Sequence, residues 1–141
     1  MENNADYHYF KSDINDVIKN IPKEALILTF KDMLLSRNFE IRAESAYQSG
    51  NISGFLHLYN GQEAIASGCV AAFGKEQYYT AGYRSHMLAL LLGASPKELM
   101  AELYGKKTGN VLGRGGSMHF FLKNMLGGFG IVGGHIPLST G

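Results

Sequence analysis

Cysteine is nearly absent: Cys69 is the only one in 141 residues, so no intramolecular disulfide can form. It lies in a small apolar run, residues 65–73, where a buried thiol is the ordinary expectation. An excess of charge of either sign is lacking too, with 13 Lys and Arg against 12 Asp and Glu and a formal net charge of +1. Without a basic field or a block of like charges, nucleic acid is not an expected partner. Residues 1–21 have neither an apolar core nor an arginine, so no signal peptide, membrane span or organellar transit peptide is expected there. A cytoplasmic location and no membrane partner follow as expectations. Glycine does not occur before Gly50, and aspartate does not occur after Asp32.

What is present describes one domain. The chain is 45% hydrophobic and 18% charged, a balance typical of soluble globular proteins, and it is long enough for one core. Residues 1–22 read as a loose arm, with Tyr7, Tyr9 and Phe10 as a sticky spot, and residues 23–141 read as the folded part. Pro22 can open a helix, and the run 23–49 has no breaker and apolar residues at 26, 30, 33, 34, 41 and 47. Arg37, Glu40, Arg42 and Glu44 are expected on its solvated or ion-paired face. Such a helix would span roughly 40 Å, long enough to suggest a partner subunit along it.

Asn60 is placed to cap a helix over about 61–73 that is rich in Ala, Gly and Ser. Residues 77–81 suit a short strand, and 85–92 are apolar nearly all round, as in a buried helix. Ser95-Pro-Lys-Glu98 is a capping box with proline at the first helical position, and Gly105 closes that helix. Beyond it, only 117–122 and 130–132 look able to supply extended segments. Pro137 sits near the first turn of a helix that opens as the chain stops, which suggests truncation.

Ten of the eighteen glycines fall within residues 105–134. Glycine costs conformational entropy, so this stretch reads either as a ligand cradle or as a pair of loops between core elements. Gly128, Gly130 and Gly133 match Gly-x-Gly-x-x-Gly in form, but no strand precedes them as a dinucleotide site needs, and no acidic residue follows. His8, His57, His86, His119 and His135 form no His-x-x-x-His pair, and no zinc site is expected. Of these, His57 stands out in a loop just ahead of the small-residue helix. Tyr83 and Arg84, a phenol and a guanidinium between a strand and a helix, suit an oxyanion such as phosphate, or a surface salt bridge.

Three strings then converge on one family. Phe55-Leu-His-Leu-Tyr-Asn-Gly-Gln-Glu-Ala64, Thr80-Ala-Gly-Tyr-Arg-Ser-His86, and Gly113-Arg-Gly-Gly-Ser-Met-His119 with Gly128-Phe-Gly-Ile-Val-Gly133 occur in that order. From about Lys23 to Gly141 the chain resembles the alpha subunit of thiamine-diphosphate-dependent 2-oxo acid dehydrogenases, and most of all the pyruvate dehydrogenase type. The resemblance implies an α/β fold, the N-terminal part of a thiamine-diphosphate-binding fold, helix-rich with a few short strands. It implies that Tyr83 and Arg84 bind the cofactor diphosphate, that backbone at Gly130 and Val132 meets the aminopyrimidine, and that His57 lies beside the reacting carbons.

The implied activity is oxidative decarboxylation of pyruvate, with acyl transfer to lipoyl, by a heterotetramer with a beta subunit that also meets a lipoyl acyltransferase. An acetoin or other 2-oxo acid enzyme, and a non-catalytic truncated binding module, stay open beside it. The family holds magnesium through a Gly-Asp-Gly motif and a later asparagine. With no aspartate after Asp32, this chain carries no metal ligands and is expected to be inactive alone. His119 and Ser117 have no assigned role.

Overall fold

The computed structural model describes residues 13–141. Tyr7, Tyr9 and Phe10 lie outside the described residues. Within residues 13–22 Asp13 caps a short helix, α1 (Ile14–Lys19), by accepting a hydrogen bond from the Asn15 N–H, and none of its residues is buried. The long helix α2 runs over Lys23–Gln48, as the unbroken run predicts, with Pro22 at its N-cap. It buries Phe39, Ala43 and Ala46 but also Glu40, which is fully enclosed. Glu40 is therefore not part of the solvated face: it points inward to His86, while Arg37 on the outer side pairs with Glu63 at 2.6 Å.

The cap expected at Asn60 does not form. Helix α3 (Glu63–Phe73) starts two residues later, with Gln62 at the N-cap and no side-chain cap. The reason lies in Gly61, whose φ of +82° turns the chain before a helix can begin. Ala66, Ser67 and Val70 face the core, and α3 packs against both α2 and the short helix α4 (His86–Leu91). Cys69 is on the outward face and exposed, not buried, because its neighbours in the helix period are the exposed Ile65 and Phe73.

Every residue of α4 is buried, as its all-round apolarity predicts. Helix α5 (Pro96–Leu103) follows, with Ser95 Oγ accepting the Glu98 N–H at 3.1 Å. The capping box is one-sided, because the Glu98 carboxylate instead accepts from Asn110 Nδ2. The Lys106 N–H closes the helix by donating to the Ala101 carbonyl.

The α/β character rests on two parallel strands, β1 (Tyr79–Gly82) and β2 (Met125–Phe129). A parallel pair needs a long crossover, here supplied by α4, α5 and the glycine loops. The register pairs Tyr79 with Met125, Ala81 with Gly128 and Gly82 with Phe129, so β2 carries one extra residue, a bulge. β2 is neither of the segments expected to be extended; 117–122 contributes only a bridge from Leu122 to Met125, and 130–132 lies past the strand. Met-Leu-Gly-Gly-Phe has weak strand propensity, and its placement comes from burial of Met125, Gly127 and Gly128. Helix α6 (His135–Thr140) ends the chain, as Pro137 suggests, and Ser139 Oγ lies 2.6 Å from Thr80 Oγ1 of β1. Among the described residues no helix is long and apolar enough to cross a membrane.

Candidate active site

The two parallel strands end on the same side, and their pairing sets what meets there. Gly82 is opposite Phe129, so Tyr83 with Arg84 and Gly130 leave the sheet side by side. In open α/β sheets ligands bind beyond the carboxyl ends of the strands. A cleft of about 400 Å³ opens at this edge, lined by Tyr59, Gln62, Ala81, Gly82, Tyr83 and Arg84. The Arg84 guanidinium donates to the Leu58 carbonyl, and its carbon lies 5.5 Å from the centre of the Tyr83 ring. One cation is thus tied to the 55–59 segment while its outer face stays in solvent.

His57 belongs to that same segment. Its ring lies 4.5 Å from the Tyr83 ring and stacks on Phe55 at 6.3 Å and 14°. Partial burial, then the positive charge of Arg84, then His86, hold the His57 imidazole below its ordinary range. It is therefore neutral at pH 7, able to accept or relay a proton. Since the unfolded chain takes up this proton first, stability gained from a neutral His57 is complete above the ordinary histidine value of about 6.5 and falls as pH drops toward the lowered folded value. Titration of the ring by NMR is expected to show a midpoint below 6.5, and His57→Gln is expected to flatten the acid side of the stability profile.

Sequence reasoning named His57, Tyr83, Arg84, Gly130 and Val132; Tyr83 and Arg84 line the cleft, and His57 packs on the Tyr83 ring beside it. Gly130 flanks them; a side chain there would come within 3.4 Å of the Met118 sulfur. Val132 stands apart, 83% exposed beyond the strand end beside the equally open Ile131.

The glycine stretch proves to have two different halves. Residues 109–116 wrap a carboxylate of the chain itself: Glu102, fully buried, accepts the backbone N–H groups of Val111, Gly113, Gly115 and Gly116 at 2.6–3.2 Å. A second cleft of about 400 Å³ borders this loop, lined by residues 53–55, 102–105 and 113–118, but its only carboxylate is already saturated. The second half, with Gly128 and Gly130, belongs to β2 and the site edge. His119 joins the halves, its Nδ1 2.8 Å from the Gly128 carbonyl, which it meets as a donor.

Four buried polar side chains beside the site escaped the sequence reading. Glu40, His86 and Ser117 form a buried chain that ends on the His57 backbone, and Glu102 organises the loop. The one available signal was His86 inside an otherwise apolar helix, since a buried imidazole needs polar partners.

Comparison with known proteins gives the family. A family model described as dehydrogenase E1 component matches residues 31–141. The chain belongs to the dehydrogenase E1 component family. Relatives within it are named pyruvate dehydrogenase E1 component subunit alpha: one from Porphyra purpurea is 45% identical over 124 residues, covering 86% of this chain and 36% of the relative. A chloroplastic alpha-3 form from Arabidopsis thaliana is 44% identical over 133 residues, 93% of this chain and 31% of the relative. One from Rickettsia bellii is 46% identical over 121 residues, 84% and 37%. The chain thus spans about a third of the length of the curated relatives it matches. All three site strings fall inside the span of the E1 model.

Proposed function

We propose that this chain forms one wall of the cofactor site in a pyruvate dehydrogenase alpha subunit, acting with a beta subunit and a lipoyl acyltransferase on pyruvate. The observation that carries the proposal is the meeting of His57, Tyr83 and Arg84 at the carboxyl ends of β1 and β2. A half-solvated guanidinium and a phenol at a cleft of about 400 Å³ fit a diphosphate anion, and an exposed glycine beyond the strand end fits close approach of a flat ring. When bound, thiamine diphosphate supplies a carbon nucleophile and an electron sink for loss of carbon dioxide.

The chain's own residues bind and orient. Arg84 neutralises phosphate charge, and Tyr83 offers its hydroxyl while its ring holds the His57 imidazole on one face. Backbone at Gly130 and Val132 lines the aminopyrimidine side. His57, neutral at pH 7, hydrogen-bonds the substrate oxygen or passes it a proton. Among the described residues no three His, Cys, Asp or Glu side chains cluster as metal ligands, so no step is assigned to magnesium here.

The test is calorimetric titration of the full-length protein, with its beta subunit, with thiamine diphosphate and magnesium. Arg84→Ala is expected to weaken cofactor binding roughly 10- to 100-fold, the worth of one charge-assisted contact. Unchanged affinity in a folded variant would remove Arg84 from the site. A second reading, a module that only docks on a partner, is favoured by the exposed Leu28 and Phe30 on α2, and predicts no cofactor affinity at all.

A further inference from the structure

We propose that Glu40, His86 and Ser117 form a buried positioning relay whose output is the location of His57. The three side chains come from separate segments, α2, the first turn of α4 and the glycine loop, and are 0%, 0% and 4% exposed. His86 Nδ1 lies 2.9 and 3.0 Å from the two Glu40 carboxylate oxygens. His86 Nε2 lies 2.8 Å from Ser117 Oγ, and the His57 backbone N–H donates to that same oxygen at 2.9 Å. The rings of Phe39 and Phe120 meet His86 edge-on at 5.8 and 5.6 Å, which keeps the imidazole in one plane.

The Glu40 carboxylate accepts from His86 Nδ1, while His86 Nε2 lies 2.8 Å from Ser117 Oγ and 3.1 Å from the Ser117 carbonyl oxygen, so the imidazole is held at both nitrogens. The Ser117 hydroxyl oxygen has two lone pairs, so it accepts the His57 N–H whichever of Oγ and Nε2 carries the hydrogen between them.

A merely structural role is a poor account of this network. Stability alone would be served as well by apolar side chains of similar volume, since buried polar groups seldom gain on them. What apolar groups cannot do is fix one backbone nitrogen, across 60 residues of sequence, in the residue whose imidazole packs on Tyr83. Glu40, His86 and Ser117 are positioning residues: none faces the cleft, and each acts through the next.

The inference rests on the reading of His57 as the group beside the reacting carbons, and its test separates the two. Ser117→Ala and Ser117→Thr would be made in the full-length protein assembled with its beta subunit. Amide hydrogen exchange and pyruvate turnover would both be followed. In Ser117→Ala the His57 amide is expected to exchange at least about tenfold faster while α2 and α4 keep their protection. A similar fall in kcat, with the KM for thiamine diphosphate within about threefold of the parent, is expected alongside. Ser117→Thr, which keeps the hydroxyl, is expected to restore His57 protection. An unchanged His57 amide in Ser117→Ala, faster exchange spread evenly through α2 and α4, or a threonine variant as fast as alanine would each overturn the relay. If the parent complex neither binds thiamine diphosphate nor turns over pyruvate, the functional reading fails, while the exchange data still decide the relay.

Discussion

Glu102→Ala is expected to cost the folded state about 4 kcal/mol, read as a shift of the urea midpoint of the full-length protein. Oε1 accepts from Gly115 and Gly116, and Oε2 accepts from Val111 and Gly113. Truncation strands four backbone donors around a site that is closed in the native fold. Each unsatisfied buried group costs about 1–3 kcal/mol, and water entering the vacated volume recovers part of the total. Against a typical net stability of about 5–15 kcal/mol, that loss is severe. Glu102→Gln separates charge and acceptor geometry from volume. Its amide NH₂ must face one of the two donor pairs, so it is expected to recover at most about half of the loss. A glutamine variant as stable as the parent would show that only side-chain volume matters here.

Gly113→Ala is the second large effect, at about 3–5 kcal/mol. Gly113 has φ +77°, and a Cβ built on it would lie 2.4 Å from the Gly105 carbonyl carbon, 2.6 Å from its oxygen and 2.8 Å from the Lys106 nitrogen. All three are backbone atoms at the end of α5, which cannot swing aside as a side chain can. The cost therefore combines left-handed strain of about 1 kcal/mol with an overpacking penalty of about 2–4 kcal/mol. Gly116→Ala is the internal control, since φ is +58° there but nothing lies within 4 Å. It should show the strain alone, about 1 kcal/mol. Equal losses in the two variants, measured by thermal melts, would mean that the approach of the loop to α5 is not tight in solution.

These two predictions recast the glycine-rich stretch. From sequence, its first half could be a ligand cradle or connecting loops, and neither is quite what forms. The loop is a cradle whose occupant is Glu102, the next-to-last residue of the preceding helix. Nothing in the local sequence marks that glutamate: it lies in an ordinary amphipathic octapeptide, among lysine and methionine, where glutamates are usually solvated. Its burial follows from the loop folding back over it. Glu40 was misread for the same reason, as one charge among several on α2, because only the packing of α4 against α2 encloses it.

The local events were legible because their causes are local. The unbroken run after Pro22 dictates α2, Ser95 and Pro96 dictate the start of α5, and the nearly all-apolar run 85–92 dictates a buried helix. Hydrophobic periodicity and capping chemistry act within a few residues, so the sequence states them outright. The failures also had near causes: Gly61 turns the chain before Asn60 can cap α3, and the glycines of β2 conceal a strand that only burial enforces.

By itself, then, the sequence determined the helices from α2 onward, though not α1 in the stretch read as a loose arm, and it pointed to the family and to His57, Tyr83 and Arg84 as candidate site residues. Only the tertiary structure decided that these three meet, that Glu102 fills the loop, and that Glu40, His86 and Ser117 link to the His57 backbone. The physical reason is range. Propensity and capping are written in neighbouring residues, whereas a buried hydrogen bond between positions 57 and 117 exists only after β1 and β2 pair and the crossover between them closes.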